Sequence, residues 1–83
     1  MDKTITVYTT ASCGFCVMLK DYLNDKKIKF IEKRVDQDPV AANEMITISG
    51  QRGVPYTIFS DDTGIVDKIL GFDVDKINLA LGI

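Results

Sequence analysis

The sequence predicts an α/β fold: a four-stranded mixed sheet with three helices, in the order β-α-β-α-β-β-α. Three observations carry this expectation. The apolar period switches repeatedly between two and about 3.6 along the chain. Helix-starting residues stand where the period lengthens, most plainly at Asp38-Pro39. The run Asp61-Asp62-Thr63-Gly64, set between two apolar runs, is a hairpin turn signal. With 83 residues, no repeat, no low-complexity tract and no linker, the chain is expected to form a single domain over 1–83.

Each element has its own warrant. Lys3 to Tyr8 alternates, with Ile5 and Val7 against Thr4, Thr6 and Tyr8, which suits a strand with one face better buried. Thr9 to Ser12 is a polar loop, and Ser12 is placed to cap the helix after it. From about Gly14 to Lys26 the pattern is helical. Phe15, Leu19 and Tyr22 form one stripe and Cys16, Leu19 and Leu23 an adjoining one, with Lys20, Asp21, Asn24 and Asp25 opposite. Lys29 to Val35 reads as a strand centred on Phe30 and Ile31. Asp38 can cap free amides, Pro39 fits the first helical position, Ala42, Met45 and Ile46 make a stripe, and Gly50 supplies a left-handed stop. Tyr56 to Phe59 and Ile65 to Leu70 are the hairpin strands. Gly71-Phe72-Asp73 breaks the second, and Asp73 or Asp75 opens a last helix carrying Ile77, Leu79 and Leu81. The first β-α-β unit is expected to be parallel and right-handed, the final hairpin antiparallel, and helices to cover both sheet faces.

Composition narrows the function classes. Hydrophobic residues make up 46% and charged residues 27%, which argues for a globular chain. The net charge is −2, and the cationic clusters, Lys26-Lys27-Lys29 and Lys33-Arg34, are short and read as solvated ends of a helix and a strand. No nucleic-acid partner is expected. No run approaches the ~20 apolar residues that span a bilayer. Met1-Asp2-Lys3-Thr4 leads straight into alternating residues without a signal-peptide core, so the expected location is the cytoplasm, with no membrane partner.

The chemistry resides in the only two cysteines, Cys13-Gly14-Phe15-Cys16, at the junction of a strand and a helix. Thiols at this spacing can close and reopen a small disulfide ring, and in a reducing compartment such a disulfide is transient and catalytic. The loop it closes is too small to staple the fold. Free amides and the helix dipole favour an anion at Cys13, and only a thiolate attacks a disulfide. Cys16 lies one turn inside. Cys13 is therefore the expected attacker and Cys16 the resolver. Gly14 and Phe15 are neither proline nor charged, and Lys20 is expected to face water. With no histidine in the chain, a cysteine-protease arrangement is excluded and a zinc site, which needs four ligands, is disfavoured; no metal is expected. Val54-Pro55 precedes a strand. Pro55 either starts it in trans or forms a cis peptide that turns the Val54 amide and carbonyl outward, where an extended substrate can pair with them. Phe15 either stands exposed between the cysteines or folds onto Leu19. Phe72 either packs on the last helix or meets a partner.

Tyr8 to Cys16, Gly53-Val54-Pro55 and Gly71-Phe72-Asp73 together resemble the glutaredoxins and glutaredoxin-like redoxins of the thioredoxin superfamily, over nearly the whole chain and in the family's order. The resemblance implies a thioredoxin fold, thiol–disulfide oxidoreductase activity, a nucleophilic Cys13, a cis Pro55, and a substrate groove made by the Cys13 loop, Val54 and the Gly71 turn. It implies a redox-active Cys13–Cys16 disulfide with no other bound cofactor, and protein disulfides as substrates. Departures from the glutathione-binding pattern set the expected reductant. Thr10 stands where a lysine usually holds the glycyl carboxylate. Phe72 replaces the second glycine of a Gly-Gly pair. The following aspartate falls on Val74, with Asp73 or Asp75 able to serve if the turn shifts. Gln51 or Arg52 remains for the glycyl carboxylate.

The pattern is nearer to small redoxins that behave like thioredoxin, are reduced by thioredoxin reductase and supply ribonucleotide reductase. It departs from them in having Gly14-Phe15 between the cysteines and Ile69-Leu70 before the glycine. The expectation is thus a monomeric carrier reduced by thioredoxin reductase. Alternatives are a glutathione-dependent glutaredoxin, an iron–sulfur carrier holding a cluster between two chains with glutathione, and a non-catalytic interaction module.

Overall fold

A computed structural model describes residues 3–83; Met1 and Asp2, part of the N-terminal run read above, lie outside the described residues. The elements are β1 (Thr4–Thr9), α1 (Gly14–Asp25), β2 (Ile31–Arg34), α2 (Pro39–Ser49), β3 (Tyr56–Asp61), β4 (Gly64–Leu70) and α3 (Val74–Leu81), in the expected order. The sheet runs β2-β1-β3-β4. β1 is parallel to β2 and antiparallel to β3, and β3 is antiparallel to β4.

Each face of this sheet has its own core. Ile5, Val7, Phe59 and Ile69 meet Leu19 and Leu23 of α1 and Ile77 and Ala80 of α3 on one side. Tyr8, Tyr56 and Ile58 meet Ala41 and Met45 of α2 on the other. Burying side chains the size of Leu19 or Phe59 contributes about 1.5–3 kcal/mol each, which is what fixes the strand register.

Several elements differ from the sequence reading. β1 runs to Thr9 and is buried on both sides at its end, because Tyr8 is covered by α2 while Val7 is covered by α1. β2 is short: Phe30 precedes it and packs against the core from outside the ladder, and Ile31 is half exposed at the sheet edge. β3 extends two residues beyond Phe59, and a register shift at Phe59/Ser60 interrupts its pairing with β4. In α2 the buried residues are Ala41 and Met45 rather than a stripe through Ala42 and Ile46. In α3 Leu79 is 80% exposed and Ala80 is buried in its place. Residues two apart on a helix point roughly oppositely, so Ile77 and Leu79 cannot share the core face.

The caps follow the expected chemistry. Asp38 accepts from the amides of Val40 and Ala41, with Pro39 at the first helical position. Gly50 ends α2 at φ 69°, the left-handed conformation that glycine adopts without a Cβ clash. Asp73, not Asp75, caps α3.

Candidate functional site

The pairing of strands brings distant parts of the chain to one end of the sheet. Tyr8 of β1 lies opposite Tyr56 of β3, which lies opposite Leu70 of β4, and Thr9 lies opposite Arg34 of β2. The four segments that continue from these residues are the Cys13 loop, the Val54-Pro55 turn, the Gly71 turn and the loop after β2.

Cys13 is the N-cap of α1, with extended backbone angles of φ −100° and ψ 106°. Its Sγ accepts a hydrogen bond from the Cys16 amide at 3.1 Å, and its carbonyl accepts from Val17 N–H at 3.3 Å. The cap is thus a sulfur, not the Ser12 hydroxyl expected from the residue-type preference. Capping falls to the residue immediately before the first helical one, and Ser12 sits one position too early in the preceding turn. The two sulfurs are joined as a disulfide, with the Cα atoms 5.2 Å apart. Their surroundings differ: Cys16 is 1% exposed, whereas Cys13 is only partly buried. The first turn of α1 has no acidic side chain to compete for the positive end of the helix. Phe15 stands out at 62% exposure, and a shallow apolar depression is lined by Gly14, Phe15 and Met18.

Opposite this motif, the Val54–Pro55 peptide is cis. The Pro55 carbonyl accepts from Gly71 N–H at 2.8 Å, tying the turn before β3 to the turn after β4. Gly71 has φ 84°, so a side chain there would be strained. Val54 is half buried beside the α2 core. Thr10 is half buried in the loop ahead of Cys13.

The remaining predicted groove residues are less available. Phe72 turns inward, packing against the core that α1 and α3 share, and meets the Tyr22 ring of α1 edge to face, with centroids 5.9 Å apart. Tyr22 in turn donates its hydroxyl to Asn78 of α3. One carboxylate oxygen of Asp73 accepts from Lys76 N–H at 3.1 Å. Gln51 folds onto its own loop, donating from Nε2 to Ser49 Oγ and the Gly53 carbonyl, both at 3.2 Å, while its Oε1 accepts from Gly53 N–H. Arg52 is exposed and forms no ion pair among the described residues.

A layer of charged side chains on β2 and just after it was not anticipated. Glu32 accepts from the buried Thr9 hydroxyl at 2.7 Å and from Lys20 at 2.9 Å in an exposed bond, so Lys20 is paired while still meeting water. These two bonds hold the Glu32 carboxyl below its ordinary range, the Lys20 bond contributing most. Asp36 accepts from both Arg34 Nε and Nη2 at 2.8 Å and from Ala11 N–H at 3.1 Å. The Arg34 guanidinium, followed by the Ala11 amide, pulls Asp36 down to about 2. Lys33 pairs with Glu44 at 2.8 Å, and Glu44 also accepts from Tyr8. Burial, then the Glu44 bond, pushes Tyr8 up to about 12. Glu32 and Arg34 are alternate residues of β2, but Asp36 lies in the turn after it, so no strand period marks the three together.

Comparison with known proteins gives a consistent result. The glutaredoxin family profile matches residues 5–65. The chain is 33% identical over 73 residues to an uncharacterized glutaredoxin-like 8.6 kDa protein in the rubredoxin operon of Clostridium pasteurianum, covering 88% of this chain and 95% of that one. It is 41% identical over 64 residues to a glutaredoxin of Neisseria meningitidis, covering 76% of this chain and 74% of that one. Among solved structures, Methanosarcina acetivorans methanoredoxin superposes with a TM-score of 0.82 at 26% identity, covering 96% of this chain and 85% of its own.

Proposed function

Because the chain belongs to the glutaredoxin family, with a thioredoxin fold, we propose that it is a small dithiol–disulfide oxidoreductase that reduces protein disulfides through Cys13 and Cys16. The observation that carries this reading is the asymmetry of the pair: one sulfur at the open end of a helix accepting a backbone N–H, the other enclosed one turn further on. In the reduced protein the same amide and the helix end favour a thiolate on Cys13. That thiolate attacks one sulfur of a substrate disulfide, and the other substrate sulfur leaves as a thiolate and takes a proton. Cys16 then loses its proton, attacks Cys13 Sγ and releases the second substrate thiol. The substrate gains two electrons and the chain is left with the Cys13–Cys16 disulfide. The Val54 backbone beside cis Pro55 is the edge along which an extended substrate segment would pair. Val54, Gly71 and the exposed Phe15 form the proposed contact surface, with Thr10 at its margin, while the Pro55 side chain is fully buried and contributes through the cis bend it gives the backbone.

Thioredoxin reductase is the proposed reductant, and a protein disulfide such as that of ribonucleotide reductase the proposed class of acceptor, in the cytoplasm and as a monomer. Support comes from the groups that glutathione would need. Thr10 carries no charge, Gln51 is committed to Ser49 and Gly53, and part of Asp73 is committed to Lys76. Each missing charge-assisted bond forgoes ~1.5–3 kcal/mol, or about tenfold or more in affinity. One observation favours the glutathione-dependent alternative: Arg52, two residues before Val54, is an exposed cation, the charge a glycyl carboxylate would need. The test offers oxidised protein either reduced glutathione or thioredoxin reductase with NADPH. Rapid reduction by the flavoenzyme and slow reduction by glutathione is expected; fast reduction by glutathione with the reductase inert would reverse the assignment.

A further inference from the structure

The nucleophile loop leaves the sheet before it reaches Cys13. The parallel ladder of β1 and β2 ends at Thr9 and Arg34, and its last backbone bond is Val35 N–H to the Thr9 carbonyl at 2.9 Å. Beyond that point β1 has no strand partner to accept from Ala11, two residues ahead of the attacking sulfur. The Asp36 carboxylate takes the place of that partner, accepting from Ala11 N–H on Oδ2 at 3.1 Å. The carboxylate is itself held by the Arg34 fork, one bond to each oxygen at 2.8 Å. Its backbone is fixed by the turn that follows β2, in which the amides of Gln37 and Asp38 both donate to the Arg34 carbonyl.

An exposed ion pair alone is worth little. Here, though, three bonds converge on one carboxylate, in the bidentate geometry that gives Arg–carboxylate pairs their rigidity. Ala11 and Cys13 are separated by two peptide units, so their Cα atoms are at most about 7.5 Å apart. A shift at Ala11 therefore reaches the sulfur directly. We propose that Asp36, oriented by Arg34, is a positioning residue that fixes the loop carrying the Cys13 nucleophile. The inference rests on the thiol–disulfide reading above. It assigns the Arg34–Asp36 pair a part in the attack step, not only in folding.

The test uses the reduced full chain and stopped-flow attack on a chromogenic aryl disulfide, in which Cys13 displaces the coloured aryl thiolate. Asp36→Ala removes the acceptor and is expected to slow attack about tenfold. Asp36→Asn keeps an oxygen for the Ala11 amide and is expected to recover most of that loss. Glu44→Gln breaks a comparable ion pair, Lys33–Glu44, that does not touch the loop, and is expected to leave the rate unchanged. A rate for Asp36→Ala within twofold of the unmodified chain, or equal slowing in the alanine and asparagine variants, would overturn the proposal. Hydrogen exchange at Ala11 in the unmodified reduced chain gives a reading that does not depend on any variant folding. Protection is expected, and exchange at the free-peptide rate would overturn the clasp. If the unmodified chain fails to attack the disulfide while Ala11 stays protected, the oxidoreductase reading fails and the clasp does not.

Discussion

Cys13 and Cys16 are chemically identical and three residues apart, yet the fold gives them different surroundings. The sulfur of Cys13 accepts from an amide at the start of α1, and that residue is only partly buried; Cys16 is buried in the first turn. In the proposed reaction the incoming disulfide meets the less buried of the two, Cys13. Cys16→Ser is expected to accumulate a mixed disulfide with a protein substrate, visible as a mass increase lost on reduction. Cys13→Ser is expected to form none. Equal behaviour of the two variants would contradict the assigned roles. The spacing and the preceding strand made the position of the pair, at the start of α1, legible in the sequence. The charges beside the loop were not, because Asp36 accepts from the amide of Ala11, 25 residues away, and no short motif encodes that contact. Gln51 shows the opposite failure: its type suits carboxylate recognition, but local bonds to Ser49 and Gly53 use it to shape its own loop.

Helices were readable where their ends carry specific chemistry. Asp38, Pro39 and Gly50 each satisfy or remove a terminal backbone group of α2, and the helix begins and stops where they indicate. Asp38→Ala forfeits bonds to two amides and is expected to cost about 1 kcal/mol in urea unfolding; no change in midpoint would mean water caps the helix equally well. Helix phase was harder to read. α3 has only eight residues, and the docking of Ile77 and Ala80 onto Val7 and Phe59 decides which side turns inward, leaving Leu79 in water. Phe15 looked like part of an apolar stripe but stands exposed in the first turn of α1. Phe30 belongs to the core without belonging to a strand, since its ring reaches the α1 side from the approach to β2. Apolar character reports burial more faithfully than it reports element boundaries.

At the scale of the molecule, the site is a product of topology. A central β1 with β2 parallel on one side and β3 antiparallel on the other sends the exits of β1, β2 and β4 and the entrance of β3 to the same end. Four segments far apart in sequence thereby leave the sheet at one end, and α1, which packs over the core of one face, starts from one of them with Cys13 as its N-cap. Among the described residues, no helix is long and apolar enough to cross a membrane. The β-α-β-α-β-β-α order could be read from the sequence because each connection is short, and the layer arrangement followed from it. The gathering of the loop after β2 into the site required the register Thr9↔Arg34, which no local pattern supplies. The account depends on that gathered end holding Cys13 as an anion in the reduced state. The most direct test is the alkylation rate of reduced protein by iodoacetamide as a function of pH, with Cys16→Ser isolating the first sulfur. Fast alkylation persisting well below the pH at which an ordinary thiol loses reactivity is the predicted result; a profile matching that of an unperturbed solvent-facing cysteine would contradict it.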